Sequence, residues 1–449
     1  MLSKIRVISV LLIVLLAVSA FAGGGSSSSS SSSADSKNIR VLYYLEATNP
    51  TSVADANWAF QEFARLNPDV RVERENLFSE AYHDKMRAYA ASGNLPDVMY
   101  VWPSGRSAYL HDEGLLRNLT PLINRDNLAA NYQSYAFDPR LQQSGYVAMI
   151  PNGVTATHTF WTNMEVLNAA GLQPATTYAE LAAQVATLRA RGYGTVLMGA
   201  KDEWVIQSCF FSMLAGRFCG EGWDQRIFSG TAKFTDADFV AALTFMKRMF
   251  DDGVLNPDVL GIDYSESPGL FASNRYAYMI DGDWRVGNFT TDPDTGQALL
   301  TPARQNNIRI GVFPTIEGVK FNNSNSTILA TGWAMSAAIP VGSAREDAAW
   351  RLVKWLSGRE VMYRSVASGG VPSPARTDLN IASMPLEPLQ IAYGNLSWGT
   401  STIVIDGPFG GIIETECNVG LAELGMGLKT PQQVAQDLQR AFDAYMARR

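Results

Sequence analysis

Short apolar runs alternate along the chain with stretches of helical spacing. The run at 39–45 predicts a buried strand, and the apolar spacing over 58–66 predicts a helix that ends at Pro68. A second strand is predicted to begin at 70–72, and the run at 96–102 predicts a third. Strands that alternate with helices indicate a parallel α/β sheet, in which ligands bind beyond the carboxyl ends of the strands.

Four later helices are predicted from N-terminal capping pairs, in which a Thr or Ser is followed three residues later by an acidic or amide residue. The pairs are Thr177 with Glu180, Thr235 with Asp238, Ser343 with Glu346 and Thr430 with Gln433. Short apolar runs between these helices predict further strands at 146–150, 276–280, 308–313 and 333–339.

Residues 1–22 have the pattern of a cleavable export signal. Two basic residues precede an apolar run at 7–22, which ends in Ala-Phe-Ala and is short for a membrane span of about 20 residues. The Gly/Ser-rich stretch at 23–38 predicts a flexible linker. No cysteine precedes Cys209, so lipid anchoring through cysteine is not indicated. We expect the protein either to be released or to stay anchored by an uncleaved signal.

Charge and motif content argue against several classes of protein. The net charge is −7 and no Lys/Arg cluster is present, so nucleic acid is not expected as a partner. The chain has no P-loop, GxGxxG or GxSxG motif, and its histidines are isolated, so neither a cofactor nor a metal is predicted. The histidines are His83, His111 and His158. The absence of these patterns favours binding over catalysis.

The cysteines and the aromatic residues each leave two interpretations open. Cys209, Cys219 and Cys417 either include one disulfide, formed in an oxidising compartment, or are small buried hydrophobic residues. The 10 Trp and 17 Tyr suit a sugar ligand, because flat rings stack on the apolar faces of sugars. Most of these rings are nevertheless expected in the core.

The segment 271–284, FASNRYAYMIDGDW, is the most specific of several short motifs that follow one another along the chain. The others lie at 63–72, 93–98, 109–119, 147–151, 161–163, 170–172, 311–314, 331–333, 348–356 and 369–372. In their order and spacing these motifs resemble the extracytoplasmic sugar-binding proteins of ABC importers, the maltose-binding-protein-like family. The resemblance covers nearly the whole of 40–449.

This resemblance implies a two-lobed periplasmic-binding-protein fold of the α/β class, with a sheet flanked by helices in each lobe and a cleft between them. The first lobe is expected to comprise 39–150 with 313–340, and the second 151–312 with 341–449. The lobes would close around the ligand by hinge bending. The implied protein is an exported monomer, in the periplasm or at the outer face of the cytoplasmic membrane, that delivers a carbohydrate or polyol to an ABC importer permease.

Eleven residues are predicted to contact the ligand in the cleft. Trp284 is expected to be a ring on which a sugar stacks, with a core Trp as the alternative. Asp283 could accept hydrogen bonds from sugar hydroxyls, or serve only in a turn. The other nine follow strands, lie at the crossings between lobes or lie in the C-terminal part: Glu46, Trp102, Ser104, Arg106, Asn152, Trp161, Trp204, Gly370 and Trp398.

Two other functions remain open at this point. A secreted carbohydrate-active hydrolase would need two carboxylates that face each other across the cleft. A receptor that presents its ligand to a chemosensor would have the same fold as a transport receptor, and the sequence does not separate these two.

Overall fold

The computed structural model of this protein describes residues 36–292, 294–396 and 400–448. The predicted export signal at 1–22 lies outside these ranges, as does the predicted linker before Ser36. Within the described ranges, no helix is long and apolar enough to cross a membrane.

Strands and helices alternate through most of the described chain. The strands are β1 Asn38–Tyr44, β2 Arg71–Leu77, β3 Val98–Val101, β4 Met149–Pro151, β5 Val154–Ala156, β6 Thr159–Asn163, β7 Gly194–Leu197, β8 Tyr276–Asp281, β9 Ile308–Gly311, β10 Ser324–Asn325, β11 Thr327–Leu329, β12 Gly332–Met335 and β13 Thr400–Ser401. The helices are α1 Pro50–Leu66, α2 Ser79–Ala91, α3 Ala108–Asp112, α4 Thr120–Arg125, α5 Met164–Ala170, α6 Tyr178–Ala190, α7 Trp204–Ile206, α8 Ser212–Cys219, α9 Trp223–Phe228, α10 Ala237–Asp251, α11 Ser267–Ala272, α12 Val286–Phe289, α13 Pro302–Gln305, α14 Ala344–Leu356, α15 Arg359–Ala367, α16 Pro388–Gly394, α17 Asp406–Phe409, α18 Glu414–Gly425 and α19 Pro431–Met446.

Two larger sheets organise the molecule, and each mixes strand directions. The first has the order β2-β1-β3-β12-β4, in which β1 is parallel to β2 and β3 while β12 is antiparallel to β3 and β4. The second has the order β7-β8-β6-β9, in which β7 is parallel to β8 while β6 is antiparallel to β8 and β9. The expectation of a parallel sheet is therefore wrong in this respect, because strands that adjoin the crossings between the sheets run against their neighbours.

Each sheet is covered by helices and has its own core. In the first lobe Ile39, Val41 and Val98 pack with apolar residues of α1 and α14. In the second lobe Phe160 and Tyr278 pack with apolar residues of α6, α8, α10, α18 and α19. Two sheets with separate cores confirm the predicted α/β class and two-lobed architecture.

Within the described residues, the chain crosses between the lobes three times. The first two crossings contain β5 and β11, which pair antiparallel. The third runs from α15 to α16 and packs on the first, because a Cβ at Gly153 would lie 1.8 Å from the carbonyl oxygen of Ser373. Three adjoining crossings thus connect the lobes at one place, the hinge.

Helix α14 packs with the first lobe. Its apolar face, which includes Trp350, Leu352 and Val353, shares a core with Ile39 of β1, and the following helix α15 contacts α1. The sequence-based division instead assigns 341–449 as a whole to the second lobe. An amphipathic spacing predicts that a helix covers a sheet but does not indicate which of two sheets it covers.

The predicted caps lie at the starts of the helices, with one shift in position. Thr177 and Thr430 form capping boxes with Glu180 and Gln433, whereas α10 has Asp236 as its N-cap in place of Thr235.

Replacement of Thr177 by alanine is expected to lower the free energy of unfolding by about 1 kcal/mol, because the backbone N–H of Glu180 loses its acceptor at 3.2 Å. Urea denaturation measures this change, and Thr177→Ser is the control because it keeps the hydroxyl. An equal loss in both variants would contradict the capping role.

Candidate functional site

A cavity of about 330 Å³ lies between the two lobes. Its walls come from the segments that follow β1, β3, β8 and α15, and from the crossing strands β5 and β11. Its volume lies at the lower end of the about 300–1,000 Å³ range of small-molecule sites. Segments that follow strands of both sheets converge on it, which is where the sequence predicts a ligand site.

Aromatic rings form much of the cavity wall. A ring offers a flat apolar face, and the hydroxyl or N–H of Tyr and Trp adds a polar edge, so such walls suit sugar rings. The aromatic lining residues are Tyr43, Tyr44, Phe60, Phe78, Tyr100, Trp102, Trp204, Tyr264, Trp284 and Trp333. Both lobes contribute rings, so aromatic surfaces face the cavity from two sides.

Trp284 lines the cavity with a ring that is held in place from behind. The ring folds over Gly282, where a Cβ would lie 2.2 Å from its carbons, so a larger residue does not fit there. Its Nε1 donates to the hydroxyl of Tyr264, and its centroid lies 6.3 Å from that of Trp204. A half-buried ring fixed in this way favours the predicted stacking role over that of a core Trp.

Asp283 also lines the cavity, but its carboxylate is already bonded to protein groups. It accepts hydrogen bonds from the hydroxyl of Thr155 at 2.5 Å, from the backbone N–H of Ala156 at 2.8 Å and from the hydroxyl of Tyr393 at 2.5 Å. Two of these donors belong to the crossing strand β5. This arrangement holds the hinge to the second lobe and favours a structural role over the predicted ligand contact.

Burial gives Asp283 a pH dependence that can be measured. Burial raises the pKa of this carboxyl to about 6, and the hydrogen bonds from Ala156, Thr155 and Tyr393 only partly offset it. The folded state then binds more protons than the unfolded state between about pH 4 and pH 6, so the stability that Asp283 contributes is present at low pH and lost as pH rises through about 6. Relative to Asp283→Asn, the wild type should lose on the order of 1–2 kcal/mol across this window. Urea denaturation of both proteins at several pH values tests this, and parallel profiles would contradict it.

Glu46 lines the cavity from the first lobe and meets a buried arginine of the second. Its carboxylate lies 3.6 Å from Arg285 Nη1, and Arg285 Nε donates to Asp281 at 2.7 Å. Arg285 also lies over the ring of Tyr264, 3.7 Å from the centroid. Burial raises the pKa of Glu46, and the arginine partly opposes this. Glu46 therefore links the two lobes, whether or not it also contacts a ligand.

Arg106 was predicted as a ligand contact and reaches from the first lobe toward the second. It donates to Glu80, lies 3.9 Å from Glu414 and lies over the ring of Trp204 at 5.9 Å from the centroid. Only 9% of its side chain is exposed. Its charge is thus already opposed by carboxylates of both lobes.

Eight of the eleven predicted residues line the cavity: Glu46, Trp102, Arg106, Asn152, Trp204, Asp283, Trp284 and Gly370. Ser104 lines a larger neighbouring cavity of about 1210 Å³ instead. Trp398 lies outside the described residues. Their convergence on one cavity supports the predicted site, while their contact with a ligand stays a prediction.

Trp161 is the predicted residue that the structure places away from both cavities. It is fully buried in the second lobe, where its Nε1 donates to the hydroxyl of Thr159 at 2.6 Å and its ring lies 5.5 Å from that of Phe289. The physical reason is that β6 lies inside its sheet, between β8 and β9, with both faces covered. Trp161 is therefore a core residue.

Sequence reasoning missed several residues of the cavity wall. Tyr44 ends β1 two residues before Glu46, so its position at the carboxyl end of a strand could have indicated it. Phe78 and Tyr264 lie in connecting segments, and no local pattern marks them. Arg285 does not line the cavity but pairs with Glu46, which does, and its spacing of four residues from Asp281 was the available signal.

Among the described residues, no group of three or more His, Cys, Asp or Glu is arranged to hold a metal ion. The three cysteines are free thiols: Cys209, Cys219 and Cys417. Burial raises the pKa of each thiol. Of the two interpretations left open by the sequence, the buried hydrophobic one describes Cys209 and Cys417, while Cys219 is half-buried.

Two α/β lobes joined by three crossings, with an aromatic-lined cavity between them, define a two-lobed solute-binding protein. Residues 49–363 match the family described as bacterial extracellular solute-binding protein. The match covers more than half of the chain, and the chain therefore belongs to this family.

Solved structures show the same fold at low sequence identity. A protein from a study of xylan utilisation by the thermophilic bacterium Caldanaerobius polysaccharolyticus has a TM-score of 0.78 and 22% identity, covering 90% of this chain and 99% of its own. A chitin oligosaccharide binding protein has a TM-score of 0.78 and 19% identity, with coverage of 91% and 99%. The maltose/maltodextrin-binding domain of Bdellovibrio bacteriovorus, bound to maltotriose, has a TM-score of 0.70 and 18% identity, with coverage of 91% and 100%. These similarities extend over nearly the whole length of each partner.

Proposed function

We propose that this protein captures a neutral sugar or a related polyol between its lobes and presents it, by hinge closure, to the permease of an ABC importer. The observation that carries this proposal is the cavity wall, in which aromatic rings of both lobes surround a space of about 330 Å³. Structural relatives that bind chitin oligosaccharide and maltotriose support a saccharide as the ligand.

The charges around the cavity favour a neutral ligand over an anionic one. The lining includes the carboxylates of Glu46, Asp55, Asp283 and Asp406, while Arg106 is the cationic lining residue in the described part of the chain. Arg106 is already opposed by Glu80 and Glu414. A phosphorylated ligand would add negative charge where no unopposed cation faces it.

The same carboxylates favour a receptor over a hydrolase. Asp55 accepts hydrogen bonds from Arg364 at 2.6 Å and from Ser368 at 2.5 Å, and Asp406 accepts one from Ser208 at 2.8 Å. Asp283 is held by the hinge and Glu46 lies beside Arg285. Glycosidases use two carboxyl groups that are positioned for the substrate. We therefore propose that the ligand is bound and not turned over.

Export follows from the family, and the proposal places the working protein as a monomer in the periplasm or at the outer face of the cytoplasmic membrane. Its ligand would contact Trp102, Trp204 and Trp284 through ring faces. Asn152, whose side-chain amide donates to the hydroxyl of Tyr100 at 2.9 Å, would offer polar atoms beside them. Gly370 would let the backbone approach the ligand.

Thermal unfolding of the purified protein with a panel of saccharides, polyols and phosphorylated polyols tests the proposal. A ligand at about 100 times its Kd should stabilise the folded state by about 2.7 kcal/mol. Stabilisation by one class of neutral saccharide, with the sugar recovered intact, is the expected result. Stabilisation by phosphorylated polyols alone, or breakdown of the sugar, would contradict the proposal. Co-purification with a permease in the liganded state tests the transport role.

A further inference from the structure

Two cavities adjoin between the lobes and share one wall. The inner chamber is the cavity of about 330 Å³ described above, and the outer cavity has about 1210 Å³. Both are lined by Trp102 and Arg106 of the first lobe, by Val404 and Asp406 of the second, and by Val154, Ile328 and Leu329 of the crossing strands. This shared wall decides whether a long ligand can occupy both spaces at once.

Within the shared wall, backbone packs directly on backbone. A Cβ at Gly105 would lie 2.6 Å from the carbonyl oxygen of Asp406, and a Cβ at Gly410 would lie 2.8 Å from Gly105 Cα. Gly105 also has a φ of +57°, which favours glycine. The turn that carries Gly105 belongs to the first lobe and α17 to the second, so the lobes touch here without space for a ligand chain.

Arg106 strengthens the same contact electrostatically. Its side chain is 9% exposed and lies between Glu80 of its own lobe and Glu414 of the other, the latter at 3.9 Å. Burial alone would lower the pKa of the guanidinium. The neighbouring carboxylates raise it by more than burial lowers it, so the pKa lies above its ordinary value. The cation is thus stabilised between carboxylates of both lobes.

A second inter-lobe closure is built in the same way, where the inner chamber is lined by Asp55, Gly287 and Gly370 and the outer cavity is not. A Cβ at Gly287 would lie 3.3 Å from the Gly370 Cα. Arg364 donates to Asp55 of the first lobe at 2.6 Å and to Asp294 of the second. Each closure therefore combines a glycine contact with an arginine placed between carboxylates of opposite lobes.

We infer that the wall of Gly105, Arg106, Val404 and Asp406 separates the inner chamber from the outer cavity, and that the ligand is a short saccharide held in the inner chamber, while chains long enough to reach the outer cavity are excluded. The inference rests on the proposed function. A volume of about 330 Å³ would hold about eleven water molecules at ~30 Å³ each, which is the scale of about one or two sugar rings. A longer chain that extends into the outer cavity would have to pass through the shared wall and keep the lobes apart.

Calorimetric titration with size series tests this inference. The probes are xylo-, malto- and chito-saccharides of one to six rings, each titrated into the intact protein. In the series that binds, members of one or two rings should bind at least about tenfold more tightly than those of four or more, because a held-open form loses contacts to one lobe. Equal or tighter binding of the long members would overturn the inference and leave the proposed function standing. Absence of binding by every saccharide would overturn the proposed function, and this inference with it.

A pair of matched variants locates the barrier. Val404→Ala removes two methyl groups from the shared wall, and Val361→Ala removes the same groups from a residue that lines only the inner chamber. Val404→Ala should lower the preference for short over long members at least about threefold, whereas Val361→Ala should not change this ratio. An equal change of the ratio in both variants would overturn the assignment of the wall. The size series on the unaltered protein decides the inference even if Val404→Ala folds poorly.

Discussion

Replacement of Arg285 by methionine is expected to lower the free energy of unfolding by about 3–5 kcal/mol. Arg285 is fully buried, and Asp281, to which it donates at 2.7 Å, is 1% exposed. Without the guanidinium, Asp281 stays buried with no cation beside it, and Glu46 loses the partner at 3.6 Å. Removing one member of a buried ion pair costs more than the pair itself contributes, because the remaining charge is unpaired.

Urea denaturation of Arg285→Met and of the wild type at neutral pH gives the magnitude. A double-mutant cycle with Asp281→Asn separates the unpaired charge from lost packing. The arginine change should cost less in the Asp281→Asn background, with a coupling of about 1–3 kcal/mol. Equal costs in both backgrounds would show that Arg285 acts through packing alone, and a loss below about 1 kcal/mol would contradict the expectation altogether.

The α/β class could be predicted because several strands and helices carry a local signal, whereas the two-lobed architecture was implied by the family resemblance. Thr177 with Glu180 and Thr430 with Gln433 are capping pairs that need no distant partner, and both are found. The position of α14 could not be predicted in this way. Its apolar face fits a sheet, but the choice between two sheets depends on the path of the whole chain.

The cleft shows the same boundary between local and distant information. Trp284 and Trp161 both belong to the neighbourhood of the second sheet. Trp284 nevertheless lines the cavity, whereas Trp161 lies in the core. The difference is the strand: Trp284 comes just after β8 ends, whereas Trp161 lies inside β6, which has neighbours on both sides. Positions just beyond the ends of strands face the space between the lobes for this reason.

Asp283 shows why residue type and position do not define a role. An exposed carboxylate after a strand suits hydroxyl recognition, and the sequence supports that prediction. The partner that changes the interpretation is Tyr393, which donates to it from 110 residues away, together with the hinge groups Thr155 and Ala156. Only the folded chain shows that its oxygens are already bonded.

Replacement of Trp284 by alanine is expected to weaken saccharide binding about a hundredfold, or about 2.8 kcal/mol. A Trp buries about 150–250 Å² when covered, and at about 25 cal/mol per Å² the part that a ligand covers accounts for an effect of this size. The ring is held over Gly282 and bonded to Tyr264 before any ligand arrives. Little side-chain freedom is therefore lost on binding, and the contact contributes nearly its full value.

Calorimetric titration of the saccharide found in the panel gives the Kd values for this test. Trp355→Ala is the matched control, because Trp355 is half-buried, bonds to the carbonyl of Ala59 at 2.7 Å and lines neither cavity. It should leave the Kd unchanged even if it lowers stability. Trp284→Phe keeps a ring face but loses the bond to Tyr264, so a small effect in this variant and a large one in Trp284→Ala assign the binding energy to stacking. Unchanged affinity in Trp284→Ala would instead make Trp284 a support for its neighbours, and the stacking surface would then have to be Trp102 or Trp204.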